Sequence, residues 1–275
     1  MELRFSPLFS GSSGNATYVG CDDANILIDA GLSGSRVSGE LARMGIDPAS
    51  LNAILVTHEH SDHIRGIGIL SRKYDIPVYA TEGTWQGMFN KIGAISSKNQ
   101  VIFEPDQDFF IGSIDVTPFS TPHDANQPVG YTFEVDGAKL AVATDIGCIR
   151  DGWLKHVIGA DAVILESNYD IDMLNAGPYP YDLKKRIKSR HGHLSNEDAG
   201  NLAVELTRHG TRQIILDHLS KENNFPELAM RSCELMLQMA GIEPHEDVKL
   251  CVASRDCATG MFSVSSRFEQ VSWFT

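Results

Sequence analysis

The sequence predicts a layered α/β protein. Short apolar runs rich in β-forming residues recur through both halves of the chain, and segments of helical periodicity fall between them. Strands in both halves with helices between them favour stacked layers over an all-β barrel. A length of 275 residues suits one large domain or two small ones. With no low-complexity linker, internal repeat or composition break, residues 1–275 read as a single domain.

The elements follow in order. Strands are expected at 16–20 and 25–29, a helix at 35–45, a strand at 52–57 and a helix at 64–75. A strand at 77–80 and a helix at 83–92 come next, then strands at 101–104, 114–119, 129–135 and 138–144. The VDG at 135–137 reads as a tight hairpin turn between the last two. A strand at 161–166 precedes a helix at 195–209, where Ser195 followed three residues later by Asp198 is an N-terminal cap signal. A strand at 213–217, a helix at 226–240 and a strand at 248–253 complete the pattern. Gly210 and Gly241 stand where helices should stop. Met230, Met236 and Met239 recur at helical spacing and read as core. The segment SRDCATGMFSV reads as finishing a sheet.

With 42% hydrophobic and 21% charged residues, disordered, collagen-like and coiled-coil readings fall. The 23 Lys and Arg against 36 Asp and Glu leave a formal charge of −13, which repels phosphate backbones. Binding a polyanion therefore requires a local basic patch or a metal. Cys21, Cys148, Cys233, Cys251 and Cys257 form no CxxC pair and are odd in number, which fits a reduced, cytoplasmic protein. The start, MELRFSPLFSGSSGN, lacks the long apolar core of a signal peptide. No stretch nears the roughly 20 apolar residues that span a bilayer, so no membrane partner is expected. The oligomeric state stays open.

The most informative segment is NAILVTHEHSDHIRG at 52–66. An apolar strand runs directly into His58, His60, Asp62 and His63. Histidines two apart at a strand end point the same way, because strand side chains alternate with period two. Imidazole and carboxylate together suit zinc, manganese or iron. A lone histidine pair is more often structural; four ligand-type residues in six, between a strand and a helix, reverse that expectation.

This segment resembles the HxHxDH signature of the metallo-β-lactamase superfamily, and further matches follow in the family's order. Asp29 stands in ILIDAG, His123 in STPHDA, Asp145 in VATDIG and His218 in IILDHLS. The resemblance covers about residues 1–220. It implies a four-layer αββα sandwich, two β-sheets flanked by helices. It also implies two divalent metal ions: His58, His60 and His123 on one, Asp62, His63 and His218 on the other, Asp145 bridging, and Asp29 steadying the histidine loop. Taken singly, His123 could be a loop histidine and Asp145 a helix cap; their joint occurrence favours the site. Hydrolysis follows, with a metal-bridging hydroxide as nucleophile and Asp62 orienting it.

Fold alone does not choose among thioesters, lactams and phosphodiesters. His60 stands where diiron flavoproteins of this fold usually have Glu, and Asp145 where many zinc β-lactamases have Cys, so both are disfavoured. Glu166 in AVILESNYD and His193 in RHGHLSNEDAG resemble the Glu and His paired in the phosphodiesterase branch, tRNase Z included. There the histidine is a candidate general acid for a leaving alkoxide. The competing reading makes His193 a surface residue before a helix and Glu166 a strand-end carboxylate.

The segment KKRIKSRHGH brings Lys184, Lys185, Arg186, Lys188 and Arg190 straight to His193. It reads equally as a solvated face and as a substrate-facing patch. Ser12, Ser13 and Asn15 in GSSGN form a turn whose amides could meet a phosphate, though a plain hairpin turn is favoured. Ser220, Asn223 and Asn224 are candidate cleft residues; His156, His191, His209 and His245 read as ordinary surface. Residues 146–217, between the bridging Asp and the last His, leave no room for the extra domain of long-insert nucleases, and no Gly/Pro-rich arm suggests a tRNA exosite. FSGSSGN, HGHLSN and DHLSKENN together resemble the WalJ/YycJ type of bacterial exonuclease. That resemblance implies a metal-dependent phosphodiesterase acting 5′-to-3′ on DNA. The alternatives are hydrolysis of a small phosphodiester, such as a cyclic nucleotide, and a non-catalytic metal-binding regulatory module.

Overall fold

The structure is a computed structural model and describes residues 1–265; the final part of the expected domain, 266–275, lies outside the described residues. Along the first half run β1 (Leu3–Phe9), β2 (Ala16–Gly20), β3 (Asn25–Ile28), α1 (Gly34–Arg43) and β4 (Ala53–Leu55). Then come α2 (Ser61–Ile64), α3 (Ile67–Tyr74), β5 (Val78–Ala80), α4 (Glu82–Met88) and β6 (Gln100–Ile102). The second half holds β7 (Phe109–Ile111), β8 (Ile114–Ser120), β9 (Val129–Val135), β10 (Ala138–Ala143), α5 (Asp151–Val157), β11 (Ala162–Glu166), α6 (Ile171–Ala176) and α7 (Tyr181–Ile187). It closes with α8 (Asn196–Arg208), β12 (Gln213–Asp217), α9 (Pro226–Met239), β13 (Lys249–Val252) and β14 (Phe262–Val264).

The strands form two 7-stranded sheets, β14-β1-β2-β3-β4-β5-β6 and β13-β12-β11-β10-β9-β8-β7. Alternation along the strands builds the layers. Ile26 and Ile28 of β3, Leu140 and Val142 of β10, and Ile164 of β11 belong to one core shared by both sheets. Leu27 and Ile54 turn outward onto Val37 and Leu41 of α1 and Leu70 of α3. Val163, Leu165, Ile214 and Leu216 turn the other way onto Leu202 and Leu206 of α8 and Leu237 of α9. Each such buried side chain contributes about 1.5–3 kcal/mol. The result is an αββα sandwich.

Local chemistry sets the junctions. Asp136 and Gly137, with φ of 49° and 77°, make the two-residue turn joining β9 to β10. Ser195 and Asp198 complete a reciprocal capping box at the start of α8. Gly210 and Gly241, at φ 103° and 74°, follow α8 and α9 where the sequence places stops.

Several expectations need correction. The helix expected at 64–75 is two helices, α2 and α3, with Gly66 between them. A Cβ at Gly66 would lie 2.4 Å from the Leu32 carbonyl, and its amide bonds Ala30 O, so the chain breaks there against the Asp29 loop. Strand β1 escaped the sequence reading because a bulge between Pro7 and Phe9 breaks its alternation. The short β7 and helices α5, α6 and α7 also lie outside the expected elements. Of the methionines, Met230 packs on the core but Met239 is 75% exposed; Ala229, Cys233 and Leu237 supply the buried face of α9. His156 is not ordinary surface, since it stacks on Phe119 and pairs with Asp106 at 2.9 Å. SRDCATGMFSV does finish a sheet, with β14 antiparallel to β1.

Parallel pairing positions the functional end. β3 and β4 run parallel in one sheet, β10, β11 and β12 in the other. Their C-terminal ends lead to Asp29, His58, Asp145, Glu166 and His218, the edge where open α/β sheets place ligands.

Candidate metal centre

Three of these strand ends carry unusual backbone. Asp29, Asp145 and His218 have φ of 58°, 56° and 57°, a left-handed conformation that non-glycine residues adopt only when their surroundings enforce it. Each such kink ends a strand abruptly and turns its side chain into the same small volume.

The histidines are oriented from behind. Asp29 accepts from the Thr57 amide at 2.9 Å and from Thr57 Oγ1 at 2.7 Å, and its Oδ2 lies 2.7 Å from His63 Nδ1. His218 Nδ1 lies 2.9 Å from Glu166 Oε1, and His123 Nδ1 lies 3.0 Å from the Gly192 carbonyl. Oxygen acceptors make each Nδ1 the donor, so all three rings present Nε2 to the cluster. Thr57 Oγ1, donating to Asp29, can accept from His58 Nδ1 at 3.0 Å. That leaves His58 Nε2 facing His60 Nδ1 at 3.0 Å, two nitrogens that require a proton or a cation between them.

The donors form overlapping groups: His58, His60 and His123; Asp62, His63 and His218; His58, His63 and Asp145; and Asp145 with Glu166, His193 and His218. Within each group the donor atoms lie within 4.8 Å of one another. His63 Nε2 is 3.3 Å from Asp145 Oδ2 and 3.8 Å from Asp62 Oδ2. His123 Nε2, His218 Nε2 and Asp145 Oδ2 are buried without a hydrogen-bond partner among the described residues. Buried polar atoms are seldom left so. Nitrogen and carboxylate donors converging in this way fit divalent cations.

Charge confirms the fit. Burial pushes the Asp62 carboxyl up, but His218 and His63 hold it well below the ordinary range. Asp145 is lowered in the same way, against its burial, by His218, His63 and His123. Burial opposes a proton on His63, yet Asp145 and Asp29 raise it to about 9. His218, also opposed by burial, is raised well above its ordinary value by Asp145, Asp62 and Glu166. His58 and His123 are pushed down by burial. Without metal, protons on His63 and His218 balance the carboxylates.

His193 sits at the rim. Its Nδ1 is 2.8 Å from Glu166 Oε1, while Glu166 Oε2 accepts from the amides of Ile146 and Leu194 at 2.9 and 3.0 Å. Glu166 is fully buried, which opposes its ionisation, but His193 and His218 hold it ionised, well below the ordinary range. Ser12, Asp62, His193 and Ser220 line a cleft of about 390 Å³ over the cluster.

The remaining candidates divide. Asn15 is not a substrate contact: it is buried, its Oδ1 accepts from Gly11 and its Nδ2 lies 3.0 Å from His63 Nε2. Its amide holds the Asp62 carbonyl at 2.8 Å, so the GSSGN turn braces the histidine loop, and only Ser12 reaches the cleft. Ser13 is exposed beside Arg255. Asn223 and Asn224 are buried behind the cleft, Asn224 bonding Asn196 and Ser167. Arg186 lines the cleft and pairs with Asp124; Lys184, Lys185, Lys188 and Arg190 lie on the far side of α7. Thr57, Asp124 and Asn168 were missed in the sequence. Asn168 donates to the His218 carbonyl at 2.8 Å. Asp124 directly follows His123, the one adjacency that could have flagged it.

No helix among the described residues is long and apolar enough to cross a membrane. Residues 24–219 match the family described as the beta-lactamase superfamily domain. The chain is 44% identical to exodeoxyribonuclease YycJ of Bacillus anthracis, over 88% of this chain and 91% of that protein. It is 41% identical to exodeoxyribonuclease WalJ of Streptococcus pneumoniae, over 95% of this chain and 98% of that one. The crystal structure of the metallo-β-lactamase-fold protein YhfI from Bacillus subtilis superposes with a TM-score of 0.72 at 16% identity, covering 96% of this chain and 100% of that one, a likeness of fold. The chain belongs to the beta-lactamase superfamily, and within it stands beside WalJ and YycJ.

Proposed function

We propose that this protein is a two-metal phosphodiesterase acting on DNA, an exonuclease working from the 5′ end. The observation that carries the reading is the 2.8 Å contact between His193 Nδ1 and the buried Glu166, at the rim of the histidine and aspartate cluster. A lactam or thioester needs no proton donor as much as a departing alkoxide does. The names of the 41–44% identical relatives support DNA as the polymer and exonuclease as the mode.

In this reading His58, His60 and His123 hold one ion, and Asp62, His63 and His218 hold the other, with Asp145 between them. Zinc and manganese both suit such donors. Bound there, the two ions make a water acidic enough to attack at neutral pH and offset the charge growing on the phosphate oxygens. Asp62 faces the cleft and accepts a hydrogen bond from the attacking water. Glu166 fixes His193 through Nδ1, which leaves Nε2 to hold the proton that the leaving alkoxide takes. Asp29 and Thr57 keep the histidines in register. Residues 1–275 act as one unit, in the cytoplasm, where five unpaired cysteines fit a reducing compartment.

The test is the product pattern from end-labelled double-stranded DNA with manganese- or zinc-loaded protein, and Asp62→Ala as the blank. Mononucleotides released progressively from the 5′ end are expected. No cleavage with either metal, or undiminished cleavage by Asp62→Ala, overturns the reading.

A further inference from the structure

We infer that the cavity on the far face of α7 is a second nucleotide subsite, taking a single-stranded stretch of DNA beyond the scissile phosphate. This rests on the proposed function for the identity of the polymer, but not on its chemistry.

Helix α7 buries none of its residues, so core packing does not account for its presence. It acts as a wall between two cavities. Leu183, Arg186 and Ile187 face the metal cleft, whereas Tyr181, Lys184, Lys185 and Lys188 face a separate cavity of about 680 Å³. Tyr179 lines both, so the two cavities meet at its side chain. A strand leaving the metal cleft past Tyr179 enters the second cavity directly.

The lining suits that strand. Tyr179 and Tyr181 stand among Lys184, Lys185, Lys188 and Arg190, with no carboxylate in the lining, on a chain whose formal charge is −13. Tyr181 is 78% exposed. An aromatic ring that open offers a face to a base, and the neighbouring cations offer charge to its phosphates. Two of the lysines are tethered: Lys184 Nζ donates to the carbonyls of Asn175 and Gly177 at 2.8 and 2.7 Å, and Lys188 Nζ donates to Asn175 Oδ1 at 2.9 Å. Fixed ammonium groups lose little further freedom on meeting a phosphate. Lys185 and Arg190 remain exposed. Arg186 differs, being paired with Asp124 on the metal side. A base stacked on Tyr181 has left its own duplex stack, so the subsite selects single strands.

The experiment uses the full chain and reads two things separately. Fluorescence anisotropy measures binding of a labelled oligothymidylate of about a dozen nucleotides, long enough to span both cavities. Hydrolysis of bis(p-nitrophenyl) phosphate reports the metal cleft alone. Tyr181→Ala is expected to weaken oligothymidylate binding about tenfold more than it changes small-ester hydrolysis, with blunt duplex binding affected less. Lys185→Ala with Arg190→Ala is expected to reduce the salt dependence of oligothymidylate binding by a slope of about 1. Circular dichroism checks that each variant is folded. Wild-type affinity in Tyr181→Ala, or an equal loss for a dinucleotide that reaches only the metal cleft, overturns the subsite. Loss of oligothymidylate affinity with no ester hydrolysis even in the wild type keeps the subsite and rejects the chemistry.

Discussion

Glu166 Oε1 lies 2.8 Å from His193 Nδ1 and 2.9 Å from His218 Nδ1, so one buried carboxylate oxygen orients both a rim imidazole and a cluster imidazole. The other oxygen is held by two backbone amides, which stops the group from rotating. Metal-site geometry and proton delivery are therefore tied to one side chain.

Glu166→Gln keeps the shape but removes the charge and one acceptor. Metal affinity is expected to fall about 10–100-fold, because His218 loses the partner that fixes its tautomer. Activity at saturating metal is expected to fall as well, through His193. Metal titration and turnover measured on the same preparation check both; wild-type values in each would disconnect Glu166 from the site.

His193→Ala separates proton delivery from metal binding. Metal content should remain, since the three-residue groups His58–His60–His123 and Asp62–His63–His218 are intact. Turnover of DNA should fall about 10²–10⁴-fold, the range for a positioned general acid. An ester with a p-nitrophenolate leaving group, which departs without a proton, should lose far less. Equal losses on both substrates would remove the acid role.

Much of this site was legible because its residues sit where apolar strands stop. β4, β10, β11 and β12 are buried on both faces, so they read as short apolar runs whose next polar residues are His58, Asp145, Glu166 and His218. Thr57, Asn168 and Asn15 work only through hydrogen bonds to those residues, and such partnerships leave no periodic mark. The bulge in β1 moves its apolar residues between faces, and α7 has no buried residue to impose a helical pattern. Where burial does not dictate residue type, pattern carries no information, which is also why the α7 patch could be read both ways.

Gly31 tests the bracing of the histidine loop. A Cβ there would stand 1.6 Å from the Asp62 carbonyl oxygen and 2.6 Å from the Asn15 amide. Gly31→Ala must push the Asp62 backbone away, so loss of one metal and most activity is expected, with destabilisation of about 1–3 kcal/mol or more. Gly39, within α1, has nothing within 4 Å of such a Cβ. Gly39→Ala is expected to stabilise by about 0.5–1 kcal/mol with metal content unchanged. Urea unfolding and metal analysis of the two variants make the comparison; matching outcomes would contradict the packing argument.

The protons of the empty cluster make a prediction about pH. His63 rises from an ordinary 6.5 to about 9 because, against its burial, Asp145 and Asp29 hold its proton. A raised folded-state value contributes stability that is complete below the unfolded value and is lost as pH climbs through the folded one. Metal-stripped protein should therefore lose thermal stability between about pH 6.5 and 9. Metal must displace the same protons, so its apparent affinity should strengthen over that interval and its binding near pH 7 should release protons. Metal-loaded protein, with His63 neutral on its ligand nitrogen, should not share the loss. Melting curves of stripped and loaded protein across this range, with calorimetric titration of metal in buffers of different ionisation enthalpy, decide it. Parallel melting behaviour and no proton release would mean that His63 is already neutral without metal.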